Sequence, residues 1–139
     1  MYKVLLYALL INLFINGISN ATSYSSDSII VGKCNLNVYV AETPEEKRKG
    51  MLGFTKDTFN KDGMIFLGSI HQKQYYHTIG MEMDIYIIGV NTVGYKRYKV
   101  NDKAIFAPSG KKVITVYGDS VLEIPKKLYR EKFKNCLYE

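Results

Sequence analysis

The sequence predicts a mainly β fold: a single compact antiparallel β-sandwich or open barrel carrying two short helices. Three observations lead there. The chain of 139 residues has room for one domain of ordinary size. Its 47% apolar and 23% charged residues are a globular composition, not a disordered one. Its apolar residues gather in short segments rich in β-branched and aromatic side chains, separated by Gly, Asp and Asn turn signals.

At the N-terminus, Lys3 precedes Val4-Leu5-Leu6-Tyr7-Ala8-Leu9-Leu10-Ile11 and Leu13-Phe14-Ile15, followed by Ser19-Asn20-Ala21. A basic start, an apolar stretch and a small-residue tripeptide are the layout of a secretory signal peptide over 1–21, cleaved after Ala21. An uncleaved N-terminal anchor is the alternative, although the run is shorter than the ~20 residues that span a bilayer comfortably. Residues 22–28 are serine-rich and read as a polar spacer. The β-rich domain is then expected over 29–139.

Cys34, Leu36, Val38 and Val40 alternate with Asn35 and Asn37, the period-two pattern of a half-buried strand. Thr43-Pro44-Glu45-Glu46 is a capping box: a threonine cap, proline at the first helical position and glutamate three residues after the cap. Gly50 offers a stop about a turn later, and Met51, Leu52 and Phe54 are expected to dock the helix on the sheet. Met64-Ile65-Phe66-Leu67 and Ile85-Tyr86-Ile87-Ile88 are further strands, and 89–94 reads as a hairpin connection into a strand over 95–100. Strands over 113–117 and 121–124 flank a Gly118-Asp119 turn. Pro125 ends the last, and a helix follows with Tyr129, Phe133, Cys136 and Leu137 on one face.

The net charge of +6 becomes +5 if Lys3 leaves with the leader. A moderately basic exported domain can meet anionic lipid or envelope polymers, or be merely soluble. Tyr95-Lys96-Arg97-Tyr98-Lys99 reads as a solvated strand face; the exported compartment argues against nucleic acid as a partner. A membrane enters only through an uncleaved N-terminal segment.

The strong catalytic motifs are missing from the sequence. A phosphate loop ending at Gly110-Lys111 would need glycine where Ile105 stands, and Gly118-Asp119-Ser120-Val121-Leu122 lacks the closing glycine of a serine elbow. There is no Cys-x-x-Cys and no His-Glu-x-x-His, and no cofactor is expected. Cys34 and Cys136 either pair in an oxidising compartment, closing a loop of about 100 residues, or remain two buried thiols. Neither has a histidine beside it in sequence to activate it. The remaining polar cluster runs from His71 to Asp84. If extended, it puts Glu82 and Asp84 on one face with His77 across a turn, a set suited to acid–base work or to a divalent metal. The same residues also suit an ordinary solvated surface, and no metal site is assigned.

Thr43-Pro44-Glu45-Glu46, Lys49-Gly50-Met51-Leu52-Gly53, Asp62-Gly63-Met64-Ile65-Phe66, Met83-Asp84-Ile85-Tyr86-Ile87 and Val121-Leu122-Glu123-Ile124-Pro125 resemble the ordered signatures of the family called domain of unknown function 192. The resemblance covers roughly residue 36 to the C-terminus. It implies a small exported protein of β-sandwich or jelly-roll-like architecture without a settled activity. The family's Phe-Trp-Met-Lys-Asn-Thr-like segment is here Gln74-Tyr75-Tyr76-His77-Thr78-Ile79, the chain has no tryptophan, and Glu82 replaces the proline before the aspartate. The candidate ligand-binding residues are therefore Tyr75, Tyr76, His77, Glu82 and Asp84. The expected function is a non-enzymatic module binding an envelope component or a protein partner. The alternatives are a small extracytoplasmic hydrolase pairing Asp84 with Glu82, and a divalent-metal-binding domain.

Overall fold

The computed structural model describes residues 24–111 and 113–139. The leader expected over 1–21, its cleavage point and the first residues of the spacer lie outside the described residues. The elements are β1 (Ser25–Val31), β2 (Cys34–Ala41), α1 (Pro44–Lys49) running into a 3-10 turn (Gly50–Gly53), β3 (Gly63–Phe66), β4 (Gln72–Tyr76), β5 (Ile85–Gly94), β6 (Arg97–Val100), β7 (Ile105–Ala107), β8 (Ile114–Gly118), β9 (Ser120–Pro125) and α2 (Lys126–Leu128), which widens into a π-helical turn (Tyr129–Phe133). Among the described residues no helix is long and apolar enough to cross a membrane.

Six strands close into a barrel in the order β6-β1-β2-β3-β9-β5, with β5 returning to β6; β7 lengthens the sheet beside β5, and β4 and β8 form a separate two-stranded sheet. The mainly β class with two short helices is the one the sequence predicts, and of its two architectures the barrel is formed. It is closed where an open one was expected, and two of its seams, β1–β6 and β2–β3, are parallel. The reasons are local. The connection from β2 to β3 crosses over through α1, which permits a parallel pair, and pairing β1 with β6 leaves no free barrel edge.

Period-two alternation along the strands builds two cores. Side chains facing into the barrel, among them Leu36, Val38, Ile65, Ile88, Val90, Leu122 and Ile124, form one. The intervening residues of β3, β5 and β9, among them Met64, Phe66, Ile85, Ile87 and Val121, face outward and are buried too, joined by Met51, Met81, Met83, Ile114 and Val116. The β4–β8 sheet and the 3-10 turn thus roof the outer face of β3–β9–β5. The roof lies close. A Cβ on Gly89 would stand 1.9 Å from the Tyr117 carbonyl oxygen, and one on Gly118 would stand 2.5 Å from that of Val90, so both backbones touch through glycine.

Three local expectations change. The spacer is not idle: Ser25–Val31 is β1, paired along its length with β2. Its outward polar residues gave no core signal, and cross-strand pairing recruits them. The stretch 89–94 is strand, not turn; the chain reverses at Tyr95 and Lys96, the latter at φ +51°. The segment 95–99 is consequently no single face: Tyr95 is 88% exposed and Tyr98 is buried.

At one end of the barrel, Tyr129, Phe133 and Leu137 join the inner core, and Tyr86 stacks on Tyr129 at 3.9 Å. The cysteines form a Cys34–Cys136 disulfide spanning 102 positions, reinforced by Lys33 N–H donating to the Cys136 carbonyl at 2.9 Å. Replacing both cysteines with serine is expected to cost about 4–5 kcal/mol on the chain-entropy account of so long a loop. Urea unfolding checks this; an unchanged midpoint would mean that the tie carries no stability.

Candidate functional site

The segment from His71 to Asp84 is neither one strand nor one surface. Its first half is β4. Its second half is a loop pinned to the β7–β8 connection by buried Thr78, which donates Oγ1–H to the Pro108 carbonyl at 2.6 Å and accepts from Lys111 N–H at 2.8 Å. Glu82 and Asp84 precede β5 in this irregular stretch, so the extended geometry that would align them is not formed.

The predicted site residues separate accordingly. Asp84 lines a shallow pocket of about 390 Å³ with Lys56, Phe59, Met83 and Lys126. Its Oδ1 accepts from Ser109 N–H at 2.9 Å and its Oδ2 lies 3.6 Å from Lys126 Nζ. The Ser109 hydrogen bond and the Lys126 charge hold its carboxyl below the usual carboxylate range. Asp84 is a loop clamp. Glu82 is exposed and lines neither this pocket nor the one described next, so Asp84 and Glu82 share neither of the two. Among the described residues no group of three or more His, Cys, Asp and Glu side chains could hold a metal ion, so His77, Glu82 and Asp84 are not a ligand set.

Tyr75, Tyr76 and His77 do converge, on a different acid. They line a pocket of about 310 Å³ with Phe66, Met51, Met81, the end of α1 and Glu123. Each wall has a local cause. The capping box closes α1 as expected, with Glu46 N–H donating to Thr43 Oγ1 at 3.1 Å and Thr43 N–H to Glu46 Oε1 at 2.9 Å. Gly50 ends it at φ +48°, where a Cβ would come 3.2 Å from the Phe66 ring. That ending turns the helix terminus, with Lys47, Arg48 and Lys49, over the pocket. Tyr24 Oη–H, donating to the Gly50 carbonyl at 2.9 Å, fastens it from β1's side. Tyr76 packs edge-on against Phe66 at 5.3 Å.

Glu123 lies on the outward face of β9, opposite Met64 on β3 and Ile87 on β5, both fully buried. It is 3% exposed, and of the buried polar side chains among the described residues (Thr78, Ser120 and Glu123) it alone is acidic. Among the described residues neither an ion pair nor a hydrogen bond reaches its carboxyl, and burial alone pushes its pKa up to about 8. Near neutrality it is therefore largely a protonated acid, able to donate a hydrogen bond into the pocket. Tyr76 is pushed above its ordinary value by burial and by this neighbouring acid.

Sequence reasoning missed Glu123. Its signal was a carboxylate inside Val-Leu-Glu-Ile, which alternation assigns to a solvated face. Only the roof over β9 makes that face interior.

The chain matches no family model and no curated protein. It is similar in structure to a candidate transcription regulator from Sinorhizobium meliloti 1021, at 16% identity and a TM-score of 0.58, covering 78% of this chain and 87% of that one. A protein of unknown function from Novosphingobium aromaticivorans DSM 12444 aligns over 79% of this chain and 87% of its own, at 19% identity and a TM-score of 0.48. The first likeness is one of fold.

Two outcomes follow from the site. An acid whose folded pKa exceeds its unfolded value of 4.5 contributes stability that is complete below that value and is lost as pH rises through about 8. Relative to Glu123→Gln, the native chain should lose up to about 1.4 kcal/mol per pH unit across that window. Melting curves of the two should diverge from pH 4.5 to 8 and run parallel above; parallel curves throughout would contradict the assignment. Asp84→Ala should cost about 1 kcal/mol in urea unfolding, with the Glu123 pocket unaffected.

Proposed function

We propose that this chain is a non-enzymatic binding domain of the cell envelope whose ligand, a small organic molecule, occupies the pocket above β9. The observation that carries the reading is Glu123: a buried acid, its carboxyl without a partner among the described residues, lining a concavity walled by Phe66, Tyr76, Met51 and Met81. Among the described residues no fully buried side-chain oxygen lacks a partner, so the largely desolvated Glu123 carboxyl keeps a narrow opening on the pocket, where a ligand group can pair with it. Apolar walls with a few convergent polar groups are the usual character of a ligand pocket, and about 310 Å³ lies at the small end of the range. Tyr75, Tyr76 and His77 remain in the proposed site; Glu82 and Asp84 leave it. An oxidising, extracytoplasmic compartment belongs to the same reading, supported by the Cys34–Cys136 disulfide. So does kinship with domain of unknown function 192, supported by the five ordered motifs. The absent tryptophan falls in the segment that supplies Tyr75, Tyr76 and His77, which fits a binding surface particular to this chain.

The chain's methionines report on the reading. Met51 and Met81 line the proposed site, whereas Met83 lines the pocket beside Asp84. With 13C-methyl methionine, an aqueous set of uncharged and charged aromatic fragments should shift the Met51 and Met81 signals, leave Met83 unmoved and be recovered chemically unchanged. Shifts confined to Met83, or to no methionine, would overturn it.

A further inference from the structure

The residues around the pocket also specify the charge of what enters. Glu123 is the only carboxylate among the described residues lining it, whereas Lys47, Arg48 and Lys49 all border it from the last turn of α1. Lys47 and Arg48 form no ion pair among the described residues. An ammonium ligand would meet these cations on the way in. An anion would be drawn by them, and its body would rest on Phe66, Tyr76, Met51 and Met81. A carboxylate with no compensating donor is costly to bury, and an acid kept in its neutral form supplies that donor.

We propose that the pocket binds small organic monocarboxylates, the ligand's carboxylate pairing with the Glu123 carboxyl by a hydrogen bond within the field of Lys47 and Arg48. This rests on the ligand-binding reading and adds the ligand's class and its coupling to one proton. Binding leaves that proton on Glu123, so no bond is made or broken beyond the hydrogen bond. With burial pushing the Glu123 carboxyl up to about 8, affinity should be level below about pH 7 and fall about tenfold per pH unit well above 8. Among the described residues the other titratable or charged groups bordering the pocket are Tyr75 and Tyr76 from β4, His77 after it, and Lys47, Arg48 and Lys49 from α1; β3 and β5 set uncharged Met64 and Ile87 beside Glu123. Burial keeps Tyr76 protonated through that window. His77 is the group from which Glu123 has to be distinguished.

The test uses the full chain and three probes with one aromatic body: phenylacetate, 2-phenylethylamine and 2-phenylethanol. Each is titrated at pH 6, 8 and 9.5, with Met51 and Met81 methyl shifts locating the site. Phenylacetate should bind at least about tenfold more tightly than the other two at pH 6 and weaken by an order of magnitude between pH 8 and 9.5. Glu123→Gln, whose amide still donates, should bind phenylacetate at pH 6 and lose the alkaline fall. Replacing Lys47 and Arg48 with glutamine should weaken phenylacetate about tenfold and leave 2-phenylethanol unchanged. Preference for the amine or the alcohol, with Met51 and Met81 still responding, would overturn the anion assignment and spare the ligand-binding reading. Failure of all three to move those methyls would overturn both. An alkaline fall that survives in Glu123→Gln and vanishes in His77→Gln would remove Glu123 from the role.

Discussion

A sheet apolar on both faces cannot stay half in water, and the β3–β9–β5 sector of this barrel is such a sheet. Inward residues fill the barrel, while Met64, Phe66, Ile85, Ile87 and Val121 face outward and require a second cover. Burying a side chain of that size is worth about 1.5–3 kcal/mol. The demand for a cover therefore outweighs the weak local preferences of the segments that supply it. β4, β8, the 3-10 turn after α1 and the loop around Met81 all sit where this demand puts them.

The cover is assembled from unlike pieces, and its gaps follow from that. Glycine-to-carbonyl contact between β5 and β8 brings one side so close that no Cβ would fit at Gly89 or Gly118. Thr78 and Asp84 tie the loop before β5 to the β7–β8 connection. The capping box and Gly50 set α1 and its basic end on the opposite side. Between these pieces the roof is incomplete, and the side chain beneath the gap is Glu123. Clamped Asp84 and buried Glu123 thus hold opposite protonation states near neutrality, one accepting from a backbone N–H and the other desolvated.

Elements whose cause is local were legible in the sequence. β2 follows from the alternation of Cys34, Leu36, Val38 and Val40, and α1 from Thr43, Glu46 and Gly50, because each signal lies within a few residues of what it determines. β1, β4 and β7 were not. Ser25–Val31 is a strand whose first half is polar, held by a hairpin with β2 and by β6 farther along the chain; Gln72–Tyr76 is a polar strand whose partner β8 lies far along the chain, and Ile105–Ala107 is three residues added to the edge of β5. Gly89 mimics a turn because the glycine that permits a close crossing is also a residue that permits a reversal. The site divides in the same way. Tyr75, Tyr76 and His77 were found as an aromatic and polar cluster, whereas Glu123 could be recognised only once the roof over its face was known.

The protonation state of Glu123 is where fold and function meet. The direct measurement is a carbon-detected NMR titration of side-chain carboxyls in the glutamate-labelled chain, with Glu123→Gln to assign the resonance. The account predicts that this carboxyl titrates near pH 8, far above the ordinary glutamate value of 4.5. A midpoint near 4.5 would contradict it, leaving an ionised carboxylate under the roof and no hydrogen-bond donor in the pocket.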